Sequence, residues 1–534
     1  MNAKRITFII TICAMLLTAC AAPTQTLEAA KSTQAPIGVA PRATQPAYPT
    51  SAPAATQAPQ QLSPRTTATA PASAPQATAP ADNTFKYPGL NPFVDTSRDH
   101  LSTFGLDVDT ASYTVARRYV KDGNLPPAES IRVEEFVNYF KQDYAAPPNT
   151  AFAIFADGAP SPYHRDGSQI LRVGIQGYTV PDEQRKPASL TFVIDVSGSM
   201  QMENRLGLVK KSLEILVEQL RDDDTVGIVV FGTTARVVLN PTSAKEKGKI
   251  LEAIYALKTE GSTNTEAGIK MGYDMANKTY RPDGINRVIL CSDGVANTGQ
   301  TNSEKLLETI KGYAKAGITL STFGFGMGNF NDALMERLAN GGDGNYAYID
   351  DLDEAKRQFI TNLTSNLQVI ALNAKVQVDF NQEVVSRYRL IGYENRAIAD
   401  KDFRNNAVDA GEIGAGHTVT ALYAVQLKPA AEGRIATVQL RWEDPQTHVV
   451  REINGNFNSF DLAKTFDSAS LRYQLDVVVM QYAEILRRSP YAEGYSMSDL
   501  KVRADRLSAQ LIEDADVVEF AQLVNKAATI NKGW

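Results

Sequence analysis

Histidine, cysteine and basic charge are what this sequence is short of. Its 534 residues include four histidines and three cysteines, and 54 Lys+Arg face 60 Asp+Glu, for a formal net charge of −6. Without a basic excess the chain has no electrostatic footprint for nucleic acid, and so mild an acidity identifies no partner. The histidines, His100, His164, His417 and His448, all lie outside the central segment described below, and each reads as surface or incidental. No Gly-x-x-x-x-Gly-Lys-Ser/Thr stretch occurs, so nothing supports ATP hydrolysis. The apolar run Ile6 to Leu17 is short for a membrane span.

That run belongs to a targeting segment. Lys4 and Arg5 supply its positive start and Ile6 to Leu17 its apolar middle. It ends Leu17-Thr18-Ala19-Cys20, which resembles the bacterial lipobox. The resemblance implies a signal peptide over residues 1–19, cleavage before Cys20, and lipidation of Cys20 with several acyl chains, enough for stable anchoring. Cys13 then leaves with the signal and Cys291 stands alone. An intrachain disulfide and a multi-thiolate metal site are both excluded on that reading. Cys291 lies in an apolar run and is expected to be a small buried hydrophobe. Residues 20–84 are dominated by Ala, Pro, Thr, Ser and Gln, cannot bury a core, and are expected to form a disordered tether. About 60 flexible residues reach roughly 45 Å. The expected location is the bacterial cell envelope, anchored to a membrane and facing its extracytoplasmic side.

The remaining length is too great for one core. In residues 85–186 a strand-like opening from Ser102 leads to a helix over Tyr113 to Lys121, a second over Arg132 to Lys141, and strands within Ala151 to Val180. Asp107, Asp109 and Ser112 imitate a catalytic motif, but Ala111 and Thr110 break the phosphatase pattern; they read as a strand end followed by a helix cap. Residues 187–366 alternate strands and helices, which predicts a mostly parallel sheet with helices on both faces. The helices fall over Asn204–Leu220, Lys245–Leu257, Glu266–Asn277, Ser303–Ala316, Asn331–Ala339 and Leu352–Thr364. The strands fall over Ser189–Ile194, Thr225–Phe231 with Ala235–Leu239 as its hairpin mate, Asn286–Ser292 and Thr319–Phe325. Residues 367–534 open with four strands and no intervening helix, suggesting a small β-sandwich or antiparallel sheet. An amphipathic helix over Thr465 to Arg488 and two more over Ser498–Leu511 and Asp514–Ala527 follow.

Chemistry concentrates where the apolar run Leu190 to Ile194 ends in Asp195-Val196-Ser197-Gly198-Ser199. In open α/β sheets that end of a strand is where ligands bind. One carboxylate and two hydroxyls in a tight loop make half a site for a hard divalent cation. Thr263 and Asp293 follow in later loops, and the set resembles the metal-ion-dependent adhesion site of von Willebrand factor A (VWA) domains, with all five positions filled. The resemblance implies a Rossmann-like, doubly wound α/β fold, flanked by an α+β N-terminal region and a C-terminal β-sheet or sandwich plus helices. It also implies that the Ser197 and Ser199 hydroxyls bind Mg²⁺ directly, with Mn²⁺ or Ca²⁺ as alternatives. Thr263 would do so directly or through water. Asp195 and Asp293 would hold the cation's waters and orient the hydroxyls. A cation so lightly neutralised favours an acidic side chain from a protein partner. Nothing nearby supplies a general base or a nucleophile–base pair, so the chain does not read as an enzyme.

The likeness reaches further. Asp107 to Tyr113, Leu125-Pro126-Pro127 and Val133 to Phe140 resemble the N-terminal domain of YfbK-type VWA lipoproteins, and Leu486 to Tyr491 their C-terminal domain. The expectation is a membrane-anchored binding protein that grips a protein partner through the cation. The alternative is a structural or assembly lipoprotein whose VWA domain is docked on its own flanks with the metal architectural. The sequence leaves the oligomeric state open.

Overall fold

The structure, a computed structural model, describes residues 83–163, 166–294, 300–328 and 330–530. Cys20, the signal segment, His164 and nearly all of the expected tether lie outside the described residues. Strands β1 (Val94–Asp95) and β2 (Leu101–Gly105) lead into helices α1 (Ala111–Lys121) and α2 (Val133–Asn138), then the antiparallel pair β3 (Phe152–Pro160) and β4 (Gln169–Gly177). The central segment follows as β5 (Ala188–Asp195), α3 (Arg205–Gln219), β6 (Thr225–Phe231), β7 (Ala235–Ser243), α4 (Lys247–Tyr255), α5 (Thr265–Lys278) and β8 (Ile285–Ser292). It continues with α6 (Gln300–Lys315), β9 (Thr319–Phe325), α7 (Asp332–Gly341), β10 (Tyr346–Ile349), α8 (Leu352–Lys356) and α9 (Leu363–Leu367).

Its six strands form one sheet in the order β10-β9-β8-β5-β6-β7, parallel throughout except for the β6–β7 hairpin. Every residue of β5 and β8 is buried, as strands covered on both faces require. One face packs Phe192, Ile194 and Ile289 against Leu213, Leu216, Ile254 and Phe359. The other packs Val193, Val229 and Leu290 against Ile269, Tyr273, Ile310 and Met335. Ala111, Val115 and Tyr119 belong to this second core, so α1, from the N-terminal flank, covers the sheet alongside helices of the central segment.

The last helical stretch is broken where one helix is expected. A π-helical turn over Arg357–Thr361 separates α8 from α9. Ala355, Phe359, Leu363 and Leu367 all face the core. Steps of four drift by about 40° each on an α-helix, and a wider turn absorbs that drift.

The C-terminal part runs β11 (Val369–Phe380), β12 (Val385–Ile391), β13 (Gly411–Gly414), β14 (Thr418–Leu427), β15 (Arg434–Glu443) and β16 (Val450–Asn458), then α10 (Leu471–Leu486), α11 (Met497–Gln510) and α12 (Ala515–Ile530). These strands do not make a sandwich alone. One sheet is β1-β12-β14-β4-β3, and in the other β2 pairs with β11. N-terminal strands therefore complete both layers, around Val173, Ile175, Val376, Val378, Tyr423 and Trp442. Nor is α10 amphipathic: every residue from Tyr473 to Leu486 is buried. It lies among α2, α11 and α12 in a core that includes Phe136, Tyr482, Leu507 and Phe520. Its polar groups are matched inside, Asp476 by Arg172 at 2.9 Å and Glu484 by Arg487. The edge strand β16 eluded the sequence because its outward face carries Glu452, Asn454 and Asn456.

Candidate metal site

The sheet changes direction at β5, whose neighbours are β6 on one side and β8 on the other. In open α/β sheets ligands bind at such a switch point, outside the C-terminal ends of the strands. Asp195 closes β5 with no exposure. Its Oδ1 accepts the Ser197 backbone N–H at 2.9 Å and its Oδ2 the Ser292 hydroxyl at 2.7 Å. The register explains the second bond: Ile194 pairs with Cys291, so the next residues, Asp195 and Ser292, stand side by side.

Ser197 and Ser199 follow with their hydroxyl oxygens 3.1 Å apart. Ser197 is buried, Ser199 half-buried and Gly198 exposed. The loop carrying Thr263 is brought alongside by backbone bonding, Gly198 N–H donating to Gly261 O at 3.1 Å and Ser262 N–H to Thr233 Oγ1 at 3.1 Å. Gly261 has φ +68°, and a Cβ there would fall 2.0 Å from Thr233 Oγ1; only glycine allows this approach. Asn264 then caps α5, its Oδ1 accepting the Ala267 N–H at 3.1 Å. Asp293, fully buried, completes the set. Residues 295–299 beyond it lie outside the described residues.

Burial and then the neighbouring charge of Asp293 push the Asp195 carboxyl up to about 6, against the pull of its hydrogen bonds from Ser197 and Ser292. Two buried carboxylates close together, with two hydroxyls beside them, are the oxygen donors a hard cation takes. Ser197 and Ser199 would hold such a cation, Asp195 and Asp293 would orient its oxygen ligands, and Thr263, half-buried on the adjoining loop, would complete the set. Such an ion would supply a positive charge open to an incoming carboxylate.

Sequence reasoning missed Arg205. Its guanidinium donates to Asp293 Oδ2 at 2.8 Å and also to the Met327 carbonyl, at 2% exposure. A cation at the first position of a helix opposes the helix dipole, which was the available signal that it needs an acidic partner. Ser292, the orienting hydroxyl, had no signal beyond its place before Asp293.

Other candidates resolve differently. Asp107 and Asp109 do not cap α1, whose N-cap Thr110 makes no side-chain bond. Asp107 accepts from Arg396 at 2.9 Å and Asp109 from the Tyr346 N–H at 2.8 Å; the first is a joint between the two flanks, the second between flank and central segment. His417 is not a surface residue. It is half-buried, its Nδ1 accepts the Gly414 N–H at 3.2 Å, and burial pushes it down to about 4. His100 and His448 pair with Asp379 and Glu443. Cys291 is fully buried. Asp343, Asp409 and Glu412 bring carboxylate oxygens within 4.8 Å of one another, the one such acidic group among the described residues.

Three family descriptions match the chain: "von Willebrand factor" over residues 79–172, "von Willebrand factor type A domain" over 189–362, and "Uncharacterized protein YfbK, C-terminal" over 365–530. The uncharacterized protein YfbK of Escherichia coli (strain K12) is 35% identical over 447 residues, covering 79% of this chain and 77% of that one. The uncharacterized protein sll0103 of Synechocystis is 26% identical over 297 residues, covering 54% and 68%. Among solved structures, a von Willebrand factor type A protein from Catenulispora acidiphila aligns at TM-score 0.41 and 15% identity, covering 65% of this chain and 81% of that one.

Proposed function

The chain belongs to the YfbK family of von Willebrand factor type A domain proteins, and from that premise we propose that it recognises a protein partner through a divalent cation held at Asp195, Ser197, Ser199, Thr263 and Asp293. VWA domains are interaction and adhesion modules, typically without enzymatic activity. The observation that carries the reading is the pair of serine hydroxyls 3.1 Å apart beside two buried carboxylates at the switch point of the sheet. The bound cation would be Mg²⁺, and its free position would take an acidic side chain of the partner. The lipobox-like Leu17-Thr18-Ala19-Cys20 supports a lipid anchor, and residues 20–84 a tether on the extracytoplasmic side of the envelope. Immobilised protein incubated with solubilised envelope in Mg²⁺ should retain a partner, and lose it in EDTA or with Asp195→Ala. Retention unchanged by both overturns the reading.

A second reading has its own support. The VWA segment is bound to its flanks by α1 on its sheet and by buried ion pairs, Arg117 with Asp350 and Glu354, and Arg132 with Asp332. In an assembly protein of that kind the metal is architectural. It should then resist chelation, and its removal should unfold the domain instead of releasing a partner.

A further inference from the structure

The first described residues lie against the loop between β9 and α7. Asn83 Oδ1 accepts the N–H groups of Gly328 and Phe330, both at 2.9 Å, and its amide donates to the Tyr119 hydroxyl at 2.7 Å. Thr84 N–H donates to Phe330 O at 2.8 Å and forms a parallel bridge with Asn331. Two residues of the N-terminal segment thus pin one loop at the C-terminal end of the sheet.

That loop is also the second anchor of Arg205, which bonds the Met327 carbonyl on one side and Asp293 on the other. The guanidinium lies so close over the loop that a Cβ at Gly326, where φ is +83°, would fall 2.1 Å from Arg205 Nε. A continuous set of bonds therefore runs from Asn83, through the Met327–Gly328 peptide and Arg205, to a carboxylate of the metal site.

We propose that seating of Asn83–Thr84 on Gly328 and Phe330 and cation binding at the Asp195–Asp293 site oppose each other, with Arg205 as the positioning residue that couples them. The inference rests on the metal-site reading above. A guanidinium and a divalent cation drawing on one buried carboxylate repel each other, and low surrounding polarity strengthens the repulsion. While Asn83 and Thr84 hold the loop, the Met327 carbonyl keeps the guanidinium at Asp293. With the loop released, Arg205 can swing away and leave Asp293 to the cation. Linkage is reciprocal: whatever factor unseating adds to cation affinity, the cation adds to unseating. Asn83 and Thr84 are the last two residues of the segment expected to be the tether, residues 20–84, so a pull on that segment would favour the cation-loaded site.

The test uses the full chain in detergent, stripped with chelator, and Mg²⁺ alone as probe by equilibrium dialysis. Asn83→Ala, and Thr84→Pro to remove its N–H, should each tighten Mg²⁺ binding by about five-fold. Mg²⁺ should speed hydrogen exchange at the Thr84, Gly328 and Phe330 amides by a similar factor in the parent. In an Arg205→Met background, adding Asn83→Ala should change neither quantity, and Arg205→Lys should restore part of the coupling; a purely structural Arg205 would move stability without erasing the effect of Asn83. An Asn83→Ala affinity equal to the parent's, with exchange indifferent to Mg²⁺, overturns the linkage and leaves the metal site standing. No Mg²⁺ binding in the parent overturns the metal-site reading and the linkage with it. Should Arg205→Met fail to fold, the Asn83 and Thr84 variants decide alone.

Discussion

Buried charge is handled differently in two regions around the central sheet. At the joints with and between the flanks, guanidiniums and carboxylates are matched inside the protein. Arg117 meets Asp350 and Glu354, Arg132 meets Asp332 and Glu135, and Arg396 meets Asp107. At the C-terminal ends of β5 and β8, the like charges of Asp195 and Asp293 lie close together, Asp293 met by Arg205 and Asp195 by the Ser197 N–H and the Ser292 hydroxyl. A joint needs its charges neutralised before anything arrives. A recognition site keeps part of its charge for something that comes from outside. The contrast separates glue from site more sharply than burial does, because every one of these carboxylates is buried.

The largest effect should follow from breaking the joint. Arg132→Met removes the partner of Asp332 and Glu135 and leaves both carboxylates buried without it. Loss of one member of a buried pair costs about 3–5 kcal/mol, read as a fall in urea midpoint at constant slope. A change no larger than a surface substitution gives would mean that the joint is wetter than its geometry.

Glu134 sharpens the comparison from within the joint. Burial, then the charge of Glu394, pushes its carboxyl up to about 8. The folded protein keeps a proton that the unfolded chain releases near the ordinary glutamate value. Stability is therefore fullest below that value and falls as pH rises towards 8, by about 1.4 kcal/mol per unit for one proton. Glu134→Gln lacks this loss. It should match the parent near pH 5 and exceed it by about 4 kcal/mol at pH 8, seen as a flatter plot of Tm against pH. Parallel plots for the two proteins would place the titration elsewhere.

The alternation of strands and helices between Ser189 and Phe325 was legible because each element there is long and buried on one or both faces. The loops that carry Asp195 to Ser199, Thr263 and Asp293 were legible as the ends and turns of that alternation, and the structure joins the first two by the Gly198–Gly261 bond. What could not be read was long-range. That α1 covers the central sheet, or that β2 and β4 complete the C-terminal sandwich, follows from pairings hundreds of residues apart, such as Val376 with Phe104 and Tyr423 with Leu171. Periodicity carries no information on those. The four-residue strand β10 is too short for a pattern, and α10 looked amphipathic because its polar residues are polar for partners inside the protein.

The smallest expected change in stability belongs to the site, and it tests the comparison most directly. Asp195→Asn removes one of two adjacent negative charges while leaving an oxygen to accept the Ser197 N–H. Relief of the repulsion from Asp293 offsets any hydrogen bond that is weakened, so without metal the variant should stay within about 1 kcal/mol of the parent. Mg²⁺ at a hundred times its dissociation constant should stabilise the parent by about 2.7 kcal/mol and the variant hardly at all, because the carboxylate that orients the ion's oxygen ligands is gone. Melting both proteins with and without Mg²⁺ reads the difference. Equal Mg²⁺ shifts in the two would move the cation away from β5, and the carboxylates of Asp343, Asp409 and Glu412 would then be the place to look. A variant that falls by 3 kcal/mol or more before any metal is added, the loss set for Arg132→Met, would show Asp195 to be glue like the joint and erase the distinction between the two regions.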